Sequence, residues 1–233
     1  MAQPGSGWVI DGDGHVMEPK DLWIQRMDRE RWGDWIPRTE TLEPYYEVMY
    51  AGGEARSGGK DLQDRICAQV GMSPREFWEM GQRIRVPGGF DPDARVADLD
   101  RDGIDAAVLY PSQALFFGPQ DPIKAFQNLE FVRDCQRAYN EWVAEYCAAH
   151  PRRLFALAIV PLQDPELAVR ETERALRQGL VGVCIRPSAY VDELPLNHRV
   201  YERFWAACQD LDAAVALHPG VHVDTPGACR KFQ

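Results

Sequence analysis

The sequence has no apolar run approaching the roughly 20 residues of a membrane-spanning helix, no Cys-x-x-Cys pair among its six cysteines, and no Gly-x-Gly-x-x-Gly after its first strand-like segment. The first absence leaves no membrane partner to expect. The second points to reduced, mostly buried thiols, because four of the six cysteines sit inside apolar stretches. The third disfavours a dinucleotide-binding fold. Basic residues are also in deficit: 26 Lys and Arg stand against 36 Asp and Glu, a net charge of −10, and no basic run interrupts it. Phosphate contacts need clustered Lys and Arg, so nucleic acid is not an expected partner either. Residues 1–7 show neither the basic region nor the apolar core of a secretion signal, and a cytoplasmic location is expected.

What remains is an ordinary globular composition. The 233 residues are 45% hydrophobic and 10% aromatic, enough for one sizeable core. No repeat or low-complexity tract is visible, but strand-like and helix-like segments alternate. Trp8-Val9-Ile10 runs into Asp11-Gly12-Asp13-Gly14-His15-Val16, a short strand ending in polar residues. A long irregular region rich in Trp, Arg, Pro and Gly follows over about 17–89, and is expected to be an insertion over one mouth of the fold. Inside it, Ser73-Pro74-Arg75-Glu76 looks like a helix start.

Beyond it the punctuation is regular. Asp91-Pro92 opens a helix that Gly103 stops. The run from Ile104 to Tyr110 is then a buried strand. Phe126, Leu129, Val132, Tyr139, Trp142, Val143 and Tyr146 recur at helical steps. Another apolar run covers 155–161, and Asp164-Pro165 begins a helix that Gly179 ends. Val181 to Ile185 is a strand, Asn197 is placed as a helix cap, and Ala213 to Leu217 is the last strand, ending at His218-Pro219-Gly220. Five strands separated by mostly helical connections predict an α/β fold with a parallel sheet, either a barrel or a doubly wound sheet.

The polar strand ends favour the barrel. Asp13 and His15 are two apart at the end of the first strand, so their side chains share a face. In a barrel both point to the C-terminal mouth, where such folds keep their chemistry. His218 ends the fifth strand, roughly opposite in an eight-stranded ring. A carboxylate and two imidazoles suit zinc or a similar divalent ion. The plainer alternative is a turn-capping Asp13 and two polar strand-end histidines.

Read in order, Ile10-Asp11-Gly12-Asp13-Gly14-His15-Val16-Met17-Glu18-Pro19, Asp98-Leu99-Asp100-Arg101-Asp102-Gly103-Ile104-Asp105, Gly182-Val183-Cys184-Ile185-Arg186-Pro187 and Leu217-His218-Pro219-Gly220 resemble the second amidohydrolase family. That family includes aminocarboxymuconate-semialdehyde decarboxylase and the resorcylate decarboxylases. The resemblance implies a metal-dependent hydrolase-type (β/α)8 TIM barrel, of which residues 1–233 hold about five of eight strands in one incomplete domain. It implies one divalent ion held by Asp13, His15 and His218, zinc by expectation, with manganese or another divalent ion as the alternative. Where the family begins with His-x-His or Glu-x-His, this chain has Asp13-x-His15. The family's proton-transfer His and metal-closing Asp are expected beyond Gln233, so no catalytic residue is assigned and this chain by itself is expected to have little or no activity.

Several residues carry two readings. Glu18 is placed as a support of the site or anchor of a loop ahead of a catalytic role. Arg186 either grips a substrate carboxylate from the mouth or pairs with an acidic neighbour. Asp11, taken to face the same side as Asp13 but deeper, is given a buried hydrogen-bonding role ahead of ligation. His150 and His198 are expected to be structural and His222 a loop residue. Trp8, Trp23, Trp32, Trp35 and Trp78 either line a pocket or pack the insertion's core. The expected function is nonoxidative decarboxylation of an aromatic or unsaturated carboxylic acid. The alternative is hydrolysis of an amide, ester or lactone by metal-activated water, and a second alternative is an inactive fragment or non-enzymatic binding module. A small-molecule carboxylate or amide is the expected partner, with homo-oligomers possible through edge or face contacts of the insertion.

Overall fold

A computed structural model describes residues 7–55, 59–84, 86–119 and 123–219. Their centre is a five-stranded, wholly parallel sheet of β1 (Ile10–His15), β5 (Ala106–Tyr110), β6 (Leu154–Ile159), β7 (Gly182–Ile185) and β8 (Ala214–Leu217), in that spatial order. Helices α5 (Pro92–Asp102), α6 (Leu129–Ala148), α7 (Pro165–Arg177) and α8 (Glu202–Asp210) alternate with the strands. Capping side chains start three of them. Asp91, Asn128 and Asp164 each accept two backbone N–H groups of the first turn, with proline leading α5 and α7. Gly103, at φ 72°, ends α5 in the left-handed conformation that glycine tolerates. The α8 end differs from expectation: His198, not Asn197, caps the short 3₁₀ turn before it, its Nδ1 accepting from Val200 N at 3.2 Å.

The core lies where α6 and α7 cover β5, β6 and β7. Ala107, Leu109, Ala156, Ala158, Val183, Phe131 and Tyr139 are fully buried there. Asn140 on α6 is the polar member, accepting from Ile159 N and donating to Ile159 O, both at 2.9 Å. It satisfies strand-end groups that burial would otherwise strand without partners.

The sheet is curled. A flat sheet of five strands would hold β1 and β8 about 19 Å apart. Yet side chains from the two outer strands meet at 3.2 Å across their C-terminal ends, His15 to His218. Only a half-barrel brings them together.

The segment expected to be irregular has structure of its own. It holds α1 (Leu22–Arg26), α2 (Arg29–Trp32), an antiparallel sheet of β2 (Arg38–Glu43), β3 (Tyr46–Ala51) and β4 (Glu54–Ala55), then α3 (Gly59–Val70) and α4 (Pro74–Ile84). Arg38-Thr39-Glu40-Thr41-Leu42-Glu43 is too polar to read as a strand, and its pairing with β3 is visible only in space. Ser73 and Glu76 do form the reciprocal cap at the start of α4. The segment's ends meet, Met17 N donating to Gly89 O at 2.8 Å. A Cβ on Gly89 would fall 2.5 Å from the Met17 side chain, so glycine permits that closure.

The tryptophans divide. Trp23 and Trp32 are buried in the main core, with Trp23 Nε1 donating to Cys135 O on α6. Trp8 is 63% exposed, correcting its place in any core. The five described cysteines are buried and free, and Cys229 lies outside the described residues.

Candidate metal centre

The first strand is not regular. Asp11 pairs with Ala107 and Gly14 with Leu109, so three steps on β1 span two on β5. This bulge puts Asp11 and Gly14 on one face and leaves Asp13 and His15 on the other. Asp11 therefore does not share a side with Asp13, as strict alternation predicted. Its carboxylate instead accepts Asp13 N at 3.1 Å, steadying the bulge. A Cβ on Gly14 would stand 2.8 Å from Asp11 Oδ2 and 3.2 Å from the Leu109 side chain, so a larger residue there must displace one of them.

Asp13, His15 and His218 converge, their ligand-capable atoms all within 4.8 Å of one another. His15 Nε2 lies 3.2 Å from His218 Nε2, and His218 Nε2 lies 3.4 Å from Asp13 Oδ1. The other ring nitrogens decide what these atoms are. His15 Nδ1 donates to Pro111 O and His218 Nδ1 to Pro219 O, each at 3.0 Å. A carbonyl only accepts, so each Nδ1 carries a hydrogen and the two Nε2 atoms are left facing each other. Two imidazole nitrogens and a carboxylate oxygen this close together call for a proton or a metal ion among them. Outward Nδ1–H bonds to carbonyls are also the usual support of metal-ligating histidine. The donor set fits a divalent ion.

Supporting contacts come from residues that sequence reasoning passed over. Arg95 on α5 donates to the carbonyls of His15 and Gly88, tying the end of β1 to the helix. Tyr110 ends β5 in register with His15, and its ring centroid lies 6.0 Å from the His15 ring and 5.3 Å from the His218 ring. Burial, then the neighbouring Cys184 and Asp13, pushes its phenol above the ordinary value. Its place was readable in one respect: an aromatic ends the strand next to the Asp13-x-His15 strand.

Glu18 is 2% exposed and accepts the backbone N–H groups of Ser112, Gln113 and Ala114 at 3.0–3.1 Å. Burial pushes its carboxyl above the usual range, against these donors, which favour the charged form. Arg186 is 3% exposed, its guanidinium 5.5 Å over the Phe116 ring and lining a small cavity with Gln136, Cys184 and Tyr190. This corrects its expected place at the open mouth: the 114–118 segment roofs it over. His150 meets Asp93 at 2.7 Å, away from the centre. His222 lies outside the described residues. A cleft of about 290 Å³ adjoins the ends of β1 and β5, lined by Met17, Lys20, Thr39, Glu47, Ser112 and Gln113.

Comparison with known proteins agrees with this geometry. The family model described as Amidohydrolase matches residues 10–231. A gamma-resorcylate decarboxylase of Polaromonas sp. (strain JS666 / ATCC BAA-500) is 32% identical over 164 residues, 67% of this chain and 47% of that protein. The chain thus spans about half the length of the curated relatives it matches. An amidohydrolase from Mycobacterium avium subsp. paratuberculosis K-10 shares the fold with a TM-score of 0.68 at 21% identity, over 92% of this chain and 59% of that one. A dihydroxybenzoic acid decarboxylase from Polaromonas sp. JS666, solved with manganese and the inhibitor 2-nitroresorcinol, aligns with a TM-score of 0.57 at 21% identity, over 97% of this chain and 53% of that one. The curled five-stranded sheet is part of a TIM barrel, and the chain belongs to the amidohydrolase family.

Proposed function

We propose that this chain supplies the metal-binding part of an enzyme that removes carbon dioxide, without oxidation, from an aromatic or unsaturated carboxylic acid. The observation that carries the reading is the approach of His15 Nε2 and His218 Nε2 to 3.2 Å of each other beside Asp13. His15 and His218 would hold a divalent ion through these atoms and Asp13 through a carboxylate oxygen. Zinc suits the N,N,O set, and manganese, the ion of the Polaromonas structure, is the alternative. Such an ion, when bound, binds substrate oxygens and stabilises negative charge. Tyr110 walls the site, and the cleft between residues of segment 17–89 and Ser112 and Gln113, just past the end of β5, gives that segment a part in substrate choice. Arg186, behind Phe116, acts on an acidic substrate through its field rather than by contact. The gamma-resorcylate decarboxylase relative favours this chemistry over amide, ester or lactone hydrolysis. Free, buried thiols support a cytoplasmic location, and homo-oligomers form part of the same proposal.

The test has two readouts. Zinc or manganese is titrated into the chain and into the His15→Ala and His218→Ala variants. One bound ion is expected, with affinity falling by at least about 100-fold in each variant, the upper end for a mere supporting residue. Absence of binding in the parent chain would sink the metal centre. Carbon dioxide release from 2,6-dihydroxybenzoate is then followed with this chain and with a version extended to its relatives' length. Ester, amide or lactone hydrolysis without carbon dioxide release would replace decarboxylation by hydrolysis. A chain that binds the ion but turns nothing over in either length is a binding module.

A further inference from the structure

We propose that Glu18 is a positioning residue for the metal centre, orienting His15 through the loop that follows β5. This rests on the metal-centre reading above. The carboxylate of Glu18 leaves the end of β1 and enters the neighbouring strand's exit. There Oε1 accepts from Ser112 N and Ala114 N at 3.0 Å, and Oε2 from Gln113 N at 3.1 Å. Three successive backbone N–H groups converging on one anion form a nest. Glu18 is 2% exposed, set into the wall of the cleft beside Met17, Ser112 and Gln113, so little water reaches its carboxylate.

The residue just before the nest is Pro111, and its carbonyl is the group that accepts His15 Nδ1–H at 3.0 Å. The same loop grips the backbone beside His15. Val16 N donates to Tyr110 O at 3.0 Å, and Ser112 Oγ donates to Val16 O at 2.6 Å. The ring and the adjacent peptide are thus fixed against one short segment, which Glu18 holds in shape. What the ring gains is a defined tautomer, hydrogen on Nδ1 and a lone pair on Nε2, aimed at His218 and Asp13. His218 takes its Nδ1 bond from the carbonyl of its own neighbour, Pro219, and needs no such clamp. One strand end therefore carries both the ligand and, three residues later, the group that aims it.

The test replaces Glu18→Gln, which keeps the shape but puts a donor amide where an oxygen accepted backbone N–H groups. Zinc affinity is measured by calorimetry well below the unfolding temperature, and the His15 tautomer by imidazole ¹⁵N shifts in the metal-free chain. Zinc binding is expected to weaken by about 10–100-fold, and the single Nδ1–H tautomer of His15 to become a mixture while that of His218 is unchanged. A lowered unfolding temperature with parent-like zinc affinity and tautomer would show that Glu18 merely stabilises the loop, overturning the proposal. Failure of the parent chain to bind zinc would sink the metal centre alone, because the tautomer still tests the positioning role. If Glu18→Gln does not fold, Gln113→Pro carries the test. It removes one donor and keeps the carboxylate, at a residue whose φ of −80° suits proline. A smaller change in the same two readouts supports the proposal, and none overturns it.

Discussion

The middle and the rims of the parallel sheet are built to different standards. Strands β6 and β7 are buried almost throughout, whereas β1 and β8 are the edge strands of a partial barrel and are exposed in part, with Ile10 and Leu217 each at 57%. The candidate ligands all come from the rims: Asp13 and His15 from β1, His218 from the end of β8. The packed core is where helices cover β5, β6 and β7, and the candidate ligands stand at the C-terminal ends of the two edge strands.

If this division holds, the largest effect on stability comes from the interior. Leu154→Ala in β6, a residue 1% exposed, is expected to destabilise the chain by about 2–5 kcal/mol. Urea unfolding reads the loss, and metal affinity of the folded protein should stay unchanged. A matching loss of affinity would mean that interior and rim are one unit. Gly14→Ala attacks the border between them. The added methyl meets Asp11 Oδ2 and Leu109, and a cost of about 1–3 kcal/mol is expected. Here metal affinity should fall too, because the bulge that separates Asp11 from Asp13 is disturbed. A neutral result would show that the bulge yields freely.

The smallest effect concerns acid. Glu171 on α7 is 2% exposed in its side chain and pairs with Arg137 and Arg174. Burial by itself would raise its carboxyl, but the Arg137 bond, then Arg174, brings it below the ordinary 4.5. With the native value depressed, its stabilisation is complete above about pH 4.5 and is lost as the pH falls through that lower value. Unfolding temperatures of the parent and Glu171→Gln chains should therefore differ at neutral pH and converge on acidification. A gap that persists at low pH would exclude Glu171 as a source of acid sensitivity in the scaffold.

Much of the scaffold was legible because its signals are local. Asp91-Pro92 and Asp164-Pro165 mark helix starts through hydrogen bonds reaching only two or three residues ahead. Gly103 marks a stop through its own φ. The Asp13, His15 and His218 convergence was drawn from strand ends, and their side chains do meet. Asp11 was misplaced because alternation presumes a regular strand, and a bulge of one residue reverses the face. Arg186 was misplaced because nothing in Ile185-Arg186-Pro187 reveals that residues 114–118, some seventy positions earlier, close over it. The β2 strand was missed because its polar alternation has meaning only beside β3.

The sequence by itself determined the alternation of strands and helices, the helix boundaries and the residue types at the strand ends, since each depends on interactions within a few positions. Tertiary structure decided which nitrogen of His15 faces the centre, which carboxylate beside it is tied up, and that the two outermost strands come within reach. Those outcomes rest on hydrogen bonds and sheet curvature that join residues about one hundred to two hundred positions apart, from His15 to Pro111 and to His218. No local pattern in the chain encodes such distances.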